Sequence, residues 1–412
     1  METSQPMKLN HALSRHSTRR RQIRAWTIRL IALGLGLLFA FASCEILLRI
    51  IGVSYPLPYQ TDPYCGTKLQ PHFSALLMKE GSSYLQTTSD GRRDREYSKR
   101  KEDDVFRIAV LGDSYAEALQ VAASETFWAV LQTELQSCEK LRGKRLEVLN
   151  FGVSGYGTAQ ELQMLEHYVW DYQPDVVLLA FLTGNDISDN SIRLSSNRVR
   201  PFYQLQNGQL VLDESFRDHP TYKAADSLWG KWKTACINRL RLLQWMREMW
   251  NRVQANRPAS TTQSTEAGLD NIYAPPQSAD WMEAWKITEE ILKRMAEKSR
   301  EHDCLFCVAT LSNAAQVDPD RRKRELLQQT MKLDHLFYPD FRIVELGKQV
   351  GFAVFPLAPS MQAEAERTQT YFHGFANTQF GSGHWNRDGH RLAGQHLAKE
   401  IGNWLPIDNP EQ

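Results

Sequence analysis

The sequence has almost no net charge, because 49 Lys and Arg residues face 48 Asp and Glu residues in a chain of 412. Proteins that bind nucleic acid usually carry a clear basic excess, so nucleic acid is not predicted as a partner. A local basic excess does lie before residue 30, where seven basic residues stand against Glu2. These are Lys8, Arg15, Arg19, Arg20, Arg21, Arg24 and Arg29.

Cysteine is also scarce, since six residues in a chain of this length do not make a disulfide scaffold. Cys304 and Cys307 form a C-x-x-C, but they lie in an apolar run that is typical of a buried strand, so we interpret them as core residues. A zinc site of four thiolates needs a second C-x-x-C, and neither a P-loop nor a dinucleotide fingerprint is present. No metal or organic cofactor is therefore predicted. Pairing among Cys65, Cys138 and Cys236 in an oxidising compartment stays open.

One apolar run is long enough to cross a bilayer, which takes about 20 residues. It extends from Leu30 to Ile51, with Glu45 and Arg49 near its end. The basic residues before it favour a cytoplasmic N-terminus, so the rest of the chain should lie outside the cytoplasm. A signal peptide cleaved near residues 40–42, or lipidation at Cys44, is the alternative.

The pattern along the chain predicts a basic, disordered tail (1–24), a transmembrane anchor (25–52), a stem (53–104) and an α/β domain (105–408). In that domain, apolar strands near 106–111, 146–151, 175–182 and 304–311 alternate with helices, which indicates a parallel sheet covered on both faces. An insertion at about 191–278 interrupts the alternation. It contains a predicted hairpin turning at Asn207–Gly208, a helix over 226–254 and a polar linker over 257–269.

The predicted helix over 226–254 carries four tryptophans, which are Trp229, Trp232, Trp245 and Trp250. A tryptophan stripe at helical spacing is most often packed against its own domain, and we predict that arrangement here. Contact with a membrane or with a substrate is the alternative.

Small polar clusters follow the first three predicted strands, where open α/β sheets bind their ligands. These clusters are Gly112-Asp113-Ser114, Asn150 to Gly157, and Thr183-Gly184-Asn185-Asp186. A fourth cluster, Gly381 to His390, precedes the last amphipathic helix. A serine on a strand-to-helix turn, with a histidine near it, is the arrangement that nucleophilic catalysis needs.

These four blocks resemble the SGNH/GDSL hydrolase superfamily, whose serine, glycine, asparagine and histidine fall on Ser114, Gly155, Asn185 and His384. The resemblance covers about 105–190 and 300–404. It implies a three-layer α/β/α, flavodoxin-like domain, here with an N-terminal transmembrane helix and a helical insertion. It also implies that Ser114 is the nucleophile, that His384 is the base, and that Ser114, Gly155 and Asn185 form the oxyanion hole.

The sequence departs from this family at one point. Relatives usually place an Asp two or three residues before the histidine, where this chain has Ser382 and Gly381. Asp113, Asp186, Ser382 and Asp388 are the candidates for supporting residues, and Asp388 should point elsewhere because it lies on the following helix. A backbone carbonyl or no third member at all is the alternative. His390 competes with His384 for the role of base, but it falls within that helix.

The segments Glu45–Arg49, Asp90–Asp94 and Gly383–Asn386 resemble a bacterial membrane-anchored branch of the family, and the last also resembles polysaccharide O-acetyltransferases. The resemblance implies a single-pass protein of the bacterial inner membrane whose periplasmic domain acts on acyl esters, such as those of an acetylated glycan. Acyl transfer, a lipase or thioesterase activity, and a non-catalytic glycan-binding role are the alternatives. The oligomeric state stays open.

Overall fold

The computed structural model of the chain describes residues 7–255 and 271–406, so the predicted linker over 257–269 lies outside the described residues. The described residues form two units by their contacts. We call residues 7–55 with 236–255 the helical unit, and residues 56–235 with 271–406 the α/β unit.

The helices are α1 (Met7–Ile50), α2 (Ser114–Glu117), α3 (Phe127–Leu135), α4 (Thr158–Met164), α5 (Asp186–Asp189), α6 (Pro220–Asp226), α7 (Leu228–Arg239), α8 (Arg241–Ala255), α9 (Ala279–Glu301), α10 (Arg321–Met331), α11 (Tyr338–Val350), α12 (Leu357–Thr368) and α13 (Arg387–Trp404). The strands are β1 (Tyr59–Asp62), β2 (Gly66–Leu69), β3 (Ser74–Leu77), β4 (Ser83–Gln86), β5 (Val105–Gly112), β6 (Arg145–Asn150), β7 (Val176–Leu182), β8 (Phe202–Gln206), β9 (Gln209–Asp213), β10 (Leu305–Leu311) and β11 (Ala353–Pro356).

The centre of the α/β unit is a five-stranded sheet in the order β11-β10-β7-β5-β6, with every neighbouring pair parallel. In chain order this is the 2-1-3-4-5 arrangement of flavodoxin-like folds. Ligands bind such sheets where the strand order reverses, which here lies between β5 and β7. The predicted parallel sheet is confirmed.

Helices cover both faces of this sheet. Alternate residues of β7 join opposite clusters: Val177 packs in the cluster that includes α4, α9 and α11, and Leu178 in the cluster that includes α3, α12 and α13. All seven residues of β7 are buried, as a near-continuous apolar strand between two helical layers requires. The predicted three-layer α/β/α architecture is therefore confirmed.

The stem contributes two antiparallel hairpins, β1–β2 and β3–β4. Its Arg93 is almost fully buried and donates hydrogen bonds to the carbonyl oxygens of Glu117 and Val121, each at 2.6 Å. These carbonyls lie in and just after the short helix α2. The stem is thus fastened to the segment that follows β5.

The insertion begins with the hairpin β8–β9. It turns at Asn207 and Gly208, whose φ angles are +51° and +81°, so the predicted Asn-Gly hairpin is confirmed. The four tryptophans of α7 and α8 are not packed in a core. Trp229 and Trp250 are more than 60% exposed, so the predicted packing of this stripe is wrong.

In the helical unit, α1 begins at Met7, within the segment that was expected to be a disordered tail. No Gly or Pro lies between Met7 and Leu33, and Arg, Leu, Ala and Gln favour the helix. Arg24–Ile50 is long and apolar enough to cross a membrane, a property that signal sequences share.

All six cysteines are free thiols. Cys304 and Cys307 are buried beside and within β10, which confirms that they are core residues.

Candidate active site

Ser114 is the first residue of α2 and follows the end of β5. The side chain of Asp113 caps this helix by accepting a hydrogen bond from the Tyr115 N–H at 2.9 Å. The turn places the Ser114 hydroxyl at the carboxyl edge of the sheet, next to the point where the strand order reverses. Asp113 therefore shapes the turn and does not contact the histidine.

His384 lies 270 residues further along the chain, and its Nε2 is 2.8 Å from the Ser114 Oγ. It immediately precedes the buried Trp385 and then α13, whose N-terminus Asn386 caps by accepting hydrogen bonds from the N–H groups of Asp388 and Gly389. The structure thus brings the two residues with predicted catalytic roles within hydrogen-bonding distance.

The other side of the His384 ring contacts a residue that sequence reasoning missed. The Glu80 Oε2 lies 2.5 Å from Nδ1, and the Glu80 Oε1 accepts a hydrogen bond from the His384 backbone N–H at 2.9 Å. Both carboxylate oxygens therefore hold the same histidine. A Nδ1–H that donates to Glu80 leaves Nε2 unprotonated and directed at Ser114, the tautomer that a general base requires.

Glu80 reaches the site from the turn between β3 and β4. Asn377 fixes that turn, since its Oδ1 accepts from the Gly81 N–H and its Nδ2 donates to the Gly81 carbonyl oxygen, each at 2.9 Å. The Ser82 N–H donates to the Gln120 carbonyl oxygen at 3.2 Å. The tip of the stem hairpin is therefore held between the segment after α2 and the loop before α13.

Two glycines explain how the loop brings His384 onto Glu80. Gly381 and Gly383 have φ angles of +80° and +75°, which other residues adopt at a cost. A Cβ at Gly383 would lie 2.3 Å from the Glu80 Oε1, so the carboxylate occupies the space that a larger residue needs. The Gly383 carbonyl oxygen accepts hydrogen bonds from His373 Nδ1 at 2.9 Å and from the Tyr115 hydroxyl at 3.1 Å.

The charges of Glu80 and His384 support each other. Burial alone would lower the pKa of His384, but the hydrogen bond and the negative charge of Glu80 outweigh it and raise that pKa. Burial would raise the pKa of Glu80, whereas its bonds to His384 and the charge of the imidazolium lower that pKa. The pair therefore favours a charged carboxylate beside a ring that accepts a proton readily.

Asn185 lies beyond the end of β7 and donates from its Nδ2 to the Asp113 Oδ2 at 3.1 Å. An amide has two N–H donors, so one of them remains for a ligand after this bond is made. Asn185 and His384 both line the cavity that contains Ser114. Asp113 thereby fixes which end of the Asn185 amide faces it.

Gly155 lies in the loop after β6, with a φ angle of +78°. The neighbouring Ser154 donates from its N–H to the Glu117 Oε2 at 2.9 Å, and its hydroxyl contacts the same oxygen. Glu117 is the last residue of α2 and also accepts a hydrogen bond from the Tyr59 hydroxyl at 2.8 Å. The loop that carries Gly155 is therefore fastened to the helix that carries Ser114.

The remaining candidates lie away from His384. Ser382 donates to the Gln379 carbonyl oxygen at 3.1 Å, Asp388 pairs with Arg391 at 2.8 Å, and Asp186 accepts from the Leu182 N–H at 2.7 Å. None of these described side chains contacts the imidazole, so the carboxylate partner comes from Glu80 instead.

His390 and His373 are both buried. His390 accepts a hydrogen bond from the Phe127 N–H at 3.3 Å, and burial lowers its pKa to about 3. Burial lowers the pKa of His373 to about 4. Both rings therefore stay neutral and support the surrounding structure.

Three fully buried carboxyl groups lie near one another on the Asp113 side of the site. Burial raises the pKa of Asp113, Glu161 and Asp186, and the negative charges of neighbouring acids raise the pKa of Glu161 and Asp186 further. Within the described residues, neither carboxyl oxygen of Glu161 has a hydrogen-bond partner. This region favours neutral carboxylic acids.

A cavity of about 650 Å³ opens over Ser114 and His384. Its other lining residues include Asn185, Tyr273 and Lys323. Such a volume accommodates a small acyl group together with part of a larger alcohol. In the part of the chain that the structure describes, no cluster of His, Cys, Asp or Glu is arranged to hold a metal ion.

No family model and no curated protein matches the chain. Solved structures match at low identity. An acetyl xylan esterase, AlAXEase, is 12% identical with a TM-score of 0.36, and the match covers 72% of this chain and 100% of that one. A catalytic mutant of Axe2, an acetylxylan esterase from Geobacillus stearothermophilus, is 11% identical with a TM-score of 0.36, covering 74% of this chain and 97% of that one. TesA is 14% identical with a TM-score of 0.34, covering 73% and 99%. Because these values are low, the interpretation of function rests on the chain's own residues.

Proposed function

We propose that this chain is a serine esterase of the SGNH/GDSL type, with Ser114 as nucleophile, His384 as general base and Glu80 as the carboxylate that orients His384. The observation that carries the proposal is the hydrogen-bonded series from Glu80 through His384 to Ser114, with distances of 2.5 and 2.8 Å. A nucleophile, a base and a group that orients the base are the parts that acyl transfer requires.

In the proposed reaction, the Ser114 Oγ attacks the ester carbonyl carbon while His384 Nε2 accepts the hydroxyl proton. Glu80 stabilises the imidazolium that forms. The oxyanion receives hydrogen bonds from the N–H groups of Ser114 and Gly155 and from the free amide N–H of Asn185. The protonated His384 then donates its proton to the leaving alcohol, and the acyl group stays on Ser114 as an ester.

Deacylation uses the same groups. His384, neutral again, removes a proton from water, the resulting hydroxide attacks the acyl carbon, and the second oxyanion occupies the same site. Collapse of this intermediate returns the proton to the Ser114 oxygen and releases the carboxylic acid. Glu80 remains ionised throughout, in keeping with the lowered pKa of its carboxyl group.

We also propose that α1 anchors the chain in the bacterial cytoplasmic membrane, with the N-terminus inside and the α/β unit in the periplasm. Arg24–Ile50 has the necessary length and composition, and the basic residues before it favour this orientation. An enzyme in that place meets acyl esters of cell-surface or exported glycans, and acetyl esters suit the proposal best. Transfer of the acyl group to a sugar hydroxyl needs the same residues as hydrolysis.

Replacing Ser114 by alanine tests the activity. With p-nitrophenyl acetate as substrate, Ser114→Ala should reduce turnover close to the uncatalysed background, and a fluorophosphonate should label the wild-type protein but not this variant. Ser382→Ala is the matched control, because this serine lies in the same loop as His384 but its hydroxyl bonds to the Gln379 carbonyl oxygen instead. Undiminished turnover by a folded Ser114→Ala protein excludes the mechanism.

Product analysis separates hydrolysis from transfer. An acyl donor is incubated with the wild-type protein, with and without a glycan acceptor. Free acetate as the product of both reactions indicates an esterase. Acetylated glycan as the main product of the reaction that contains the acceptor indicates a transferase. Absence of both products, together with absence of labelling, favours a non-catalytic glycan-binding role.

A further inference from the structure

Helix α8 has an inverted distribution of polarity. Its buried side chains are polar, since Gln244 is 0% and Glu248 9% exposed. Its exposed side chains include Met246, Trp250 and Val253, which are 54–63% exposed. The latter follow an i, i+4, i+7 spacing, so they share one face of the helix. A soluble helix normally buries that face and presents the polar one to water.

The beginning of α8 is fixed to the end of α1. The buried Glu45 carboxylate accepts hydrogen bonds from the backbone N–H groups of Arg241 and Leu242, at 3.0 and 2.9 Å. These N–H groups have no partner within their own helix because they lie at its N-terminus, where a negative charge is favourable. Arg49 Nε donates to the same carboxylate at 2.8 Å, and the Arg241 side chain reaches the Ser54 hydroxyl at 2.5 Å.

This attachment determines the depth of α8 relative to α1. Glu45 lies five residues before the end of the apolar segment Arg24–Ile50. At 1.5 Å per residue, that is roughly 8 Å from the segment's end. When α1 crosses a bilayer, the first turn of α8 must lie near the boundary between the acyl chains and the headgroups.

The composition of α8 fits that boundary. Tryptophan is enriched at membrane interfaces, and Trp245 and Trp250 are 40% and 63% exposed. Arg247 and Arg252 follow Arg241 along the helix, against the single acid Glu248. Long basic side chains can lie beside an apolar stripe while their charged ends reach lipid phosphates.

We infer that α8 is an interfacial helix, whose face of Met246, Trp250 and Val253 lies in the acyl–headgroup boundary of a phospholipid bilayer. The inference rests on the membrane anchor that is part of the proposed function. It adds a second contact with the lipid, beside the crossing itself, and it explains why Trp250 is exposed.

Quenching of tryptophan fluorescence by lipids tests this inference on the full-length protein. The chain is reconstituted into phosphatidylcholine–phosphatidylglycerol vesicles with or without bromine atoms near the start of the acyl chains. Trp250 emits in the wild type but not in the Trp250→Phe variant, and we expect bromolipid to quench that emission. The difference between the two proteins should therefore fall by more than about twofold in brominated vesicles.

A matched variant places a tryptophan on the same helix but outside the stripe. Asn251 is exposed and adjacent to Trp250 in sequence, so it points away from the stripe. In the Trp250→Phe background, the tryptophan added by Asn251→Trp should respond to aqueous iodide and resist bromolipid. Equal quenching of this tryptophan and of the native Trp250 would overturn the assignment of a lipid-facing side.

Flotation of the vesicles separates failure of the anchor from failure of the interfacial contact. A protein that floats with the vesicles but shows no bromolipid effect at position 250 retains the anchor and contradicts the interfacial helix. A doubled mass in nanodiscs, with the stripe shielded from both quenchers, assigns the face to a second copy and contradicts it also. A protein that does not float with the vesicles contradicts both the membrane anchor and the interfacial helix.

Discussion

Carboxyl groups on the two sides of the Ser114–His384 pair have pKa values shifted in opposite directions. On the histidine side, both oxygens of Glu80 bind His384, and its pKa is lowered. On the Asp113 side, Glu161 is fully buried among other acids, its oxygens lack partners among the described residues, and its pKa is raised well above the ordinary value.

The difference shows that contacts, not residue type, determine charge at this site. Burial acts on both glutamates in the same direction, because it disfavours the charged form. Only Glu80 has an N–H and an imidazole to offset that effect. In the proposed mechanism, Glu80 is a carboxylate that stabilises a protonated histidine, whereas burial favours the neutral form of Glu161 on the opposite side.

Replacing Glu80 by glutamine removes the negative charge beside His384 and should give the largest effect. The amide keeps the shape but cannot stabilise an imidazolium or select the same tautomer, so kcat/KM should fall by about 10³–10⁴-fold, the scale for losing the orienting acid of a triad. Hydrolysis of p-nitrophenyl acetate at saturating and limiting concentrations measures the change. Asp388→Asn is the control, since that acid pairs with Arg391 and should leave the rate unchanged.

The pH profile distinguishes orientation of His384 from general damage. His384 must be neutral to act as base, so kcat/KM should rise with pH through its raised pKa, above 6.5. Without the Glu80 charge, burial should dominate and lower that pKa, so the acidic limb of the Glu80→Gln profile should move to lower pH. A limb that stays in place, or moves to higher pH, would contradict the role of Glu80.

Gly383→Ala tests the contact between Glu80 and His384 by changing the loop that carries His384. The new Cβ would lie 2.3 Å from the Glu80 Oε1, so either the carboxylate or the loop must move. A displacement of about 1 Å at a catalytic base lowers the rate by about 10²-fold. Steady-state kinetics on the purified variant measures this loss.

Gly143→Ala controls for backbone strain. Gly143 has a similar φ angle, +83°, but a Cβ added there would have no atom within 4 Å. Both alanine variants should lose about 1 kcal/mol of stability from the left-handed conformation. Only Gly383→Ala should lose activity. Equal activity of the two variants would show that Gly383 is not needed to position Glu80.

The sequence was sufficient to predict the sheet and the positions of Ser114 and His384. Apolar runs ending in Gly112 and Gly184 indicated buried parallel strands, whose carboxyl ends meet at one edge. Glu80 was not predictable in this way. It lies in a short hairpin turn, 304 residues from its partner, and nothing in its local sequence distinguishes it from a surface acid.

The tryptophans of α8 were misread for a different reason. Periodicity indicates that a helix has an apolar face, but not whether protein covers that face. The informative residues were Gln244 and Glu248, whose burial on the other side becomes visible only in three dimensions.

Glu161→Gln, on the side of the buried acids, should give the smallest effect, which is a change in stability with pH. The folded protein holds a proton on Glu161 at pH values where the unfolded chain, with an ordinary pKa of 4.5, has released it. The free energy of unfolding therefore falls as the pH rises above that value. Glutamine has nearly the same size and does not titrate, so the variant should gain stability relative to the wild type between pH 5 and pH 8.

Thermal unfolding across that pH range measures the effect, which we expect to reach about 1 kcal/mol, or about 1–2 °C in Tm for a chain of this length. The exposed Glu134→Gln serves as the control for replacing a surface glutamate by glutamine. Glu80→Gln should show the opposite trend, because a lowered pKa contributes stability that is present above pH 4.5 and is lost as the pH falls. If Glu161→Gln instead loses stability as the pH rises, then Glu161 is ionised in the folded protein and both sides of the site carry charge.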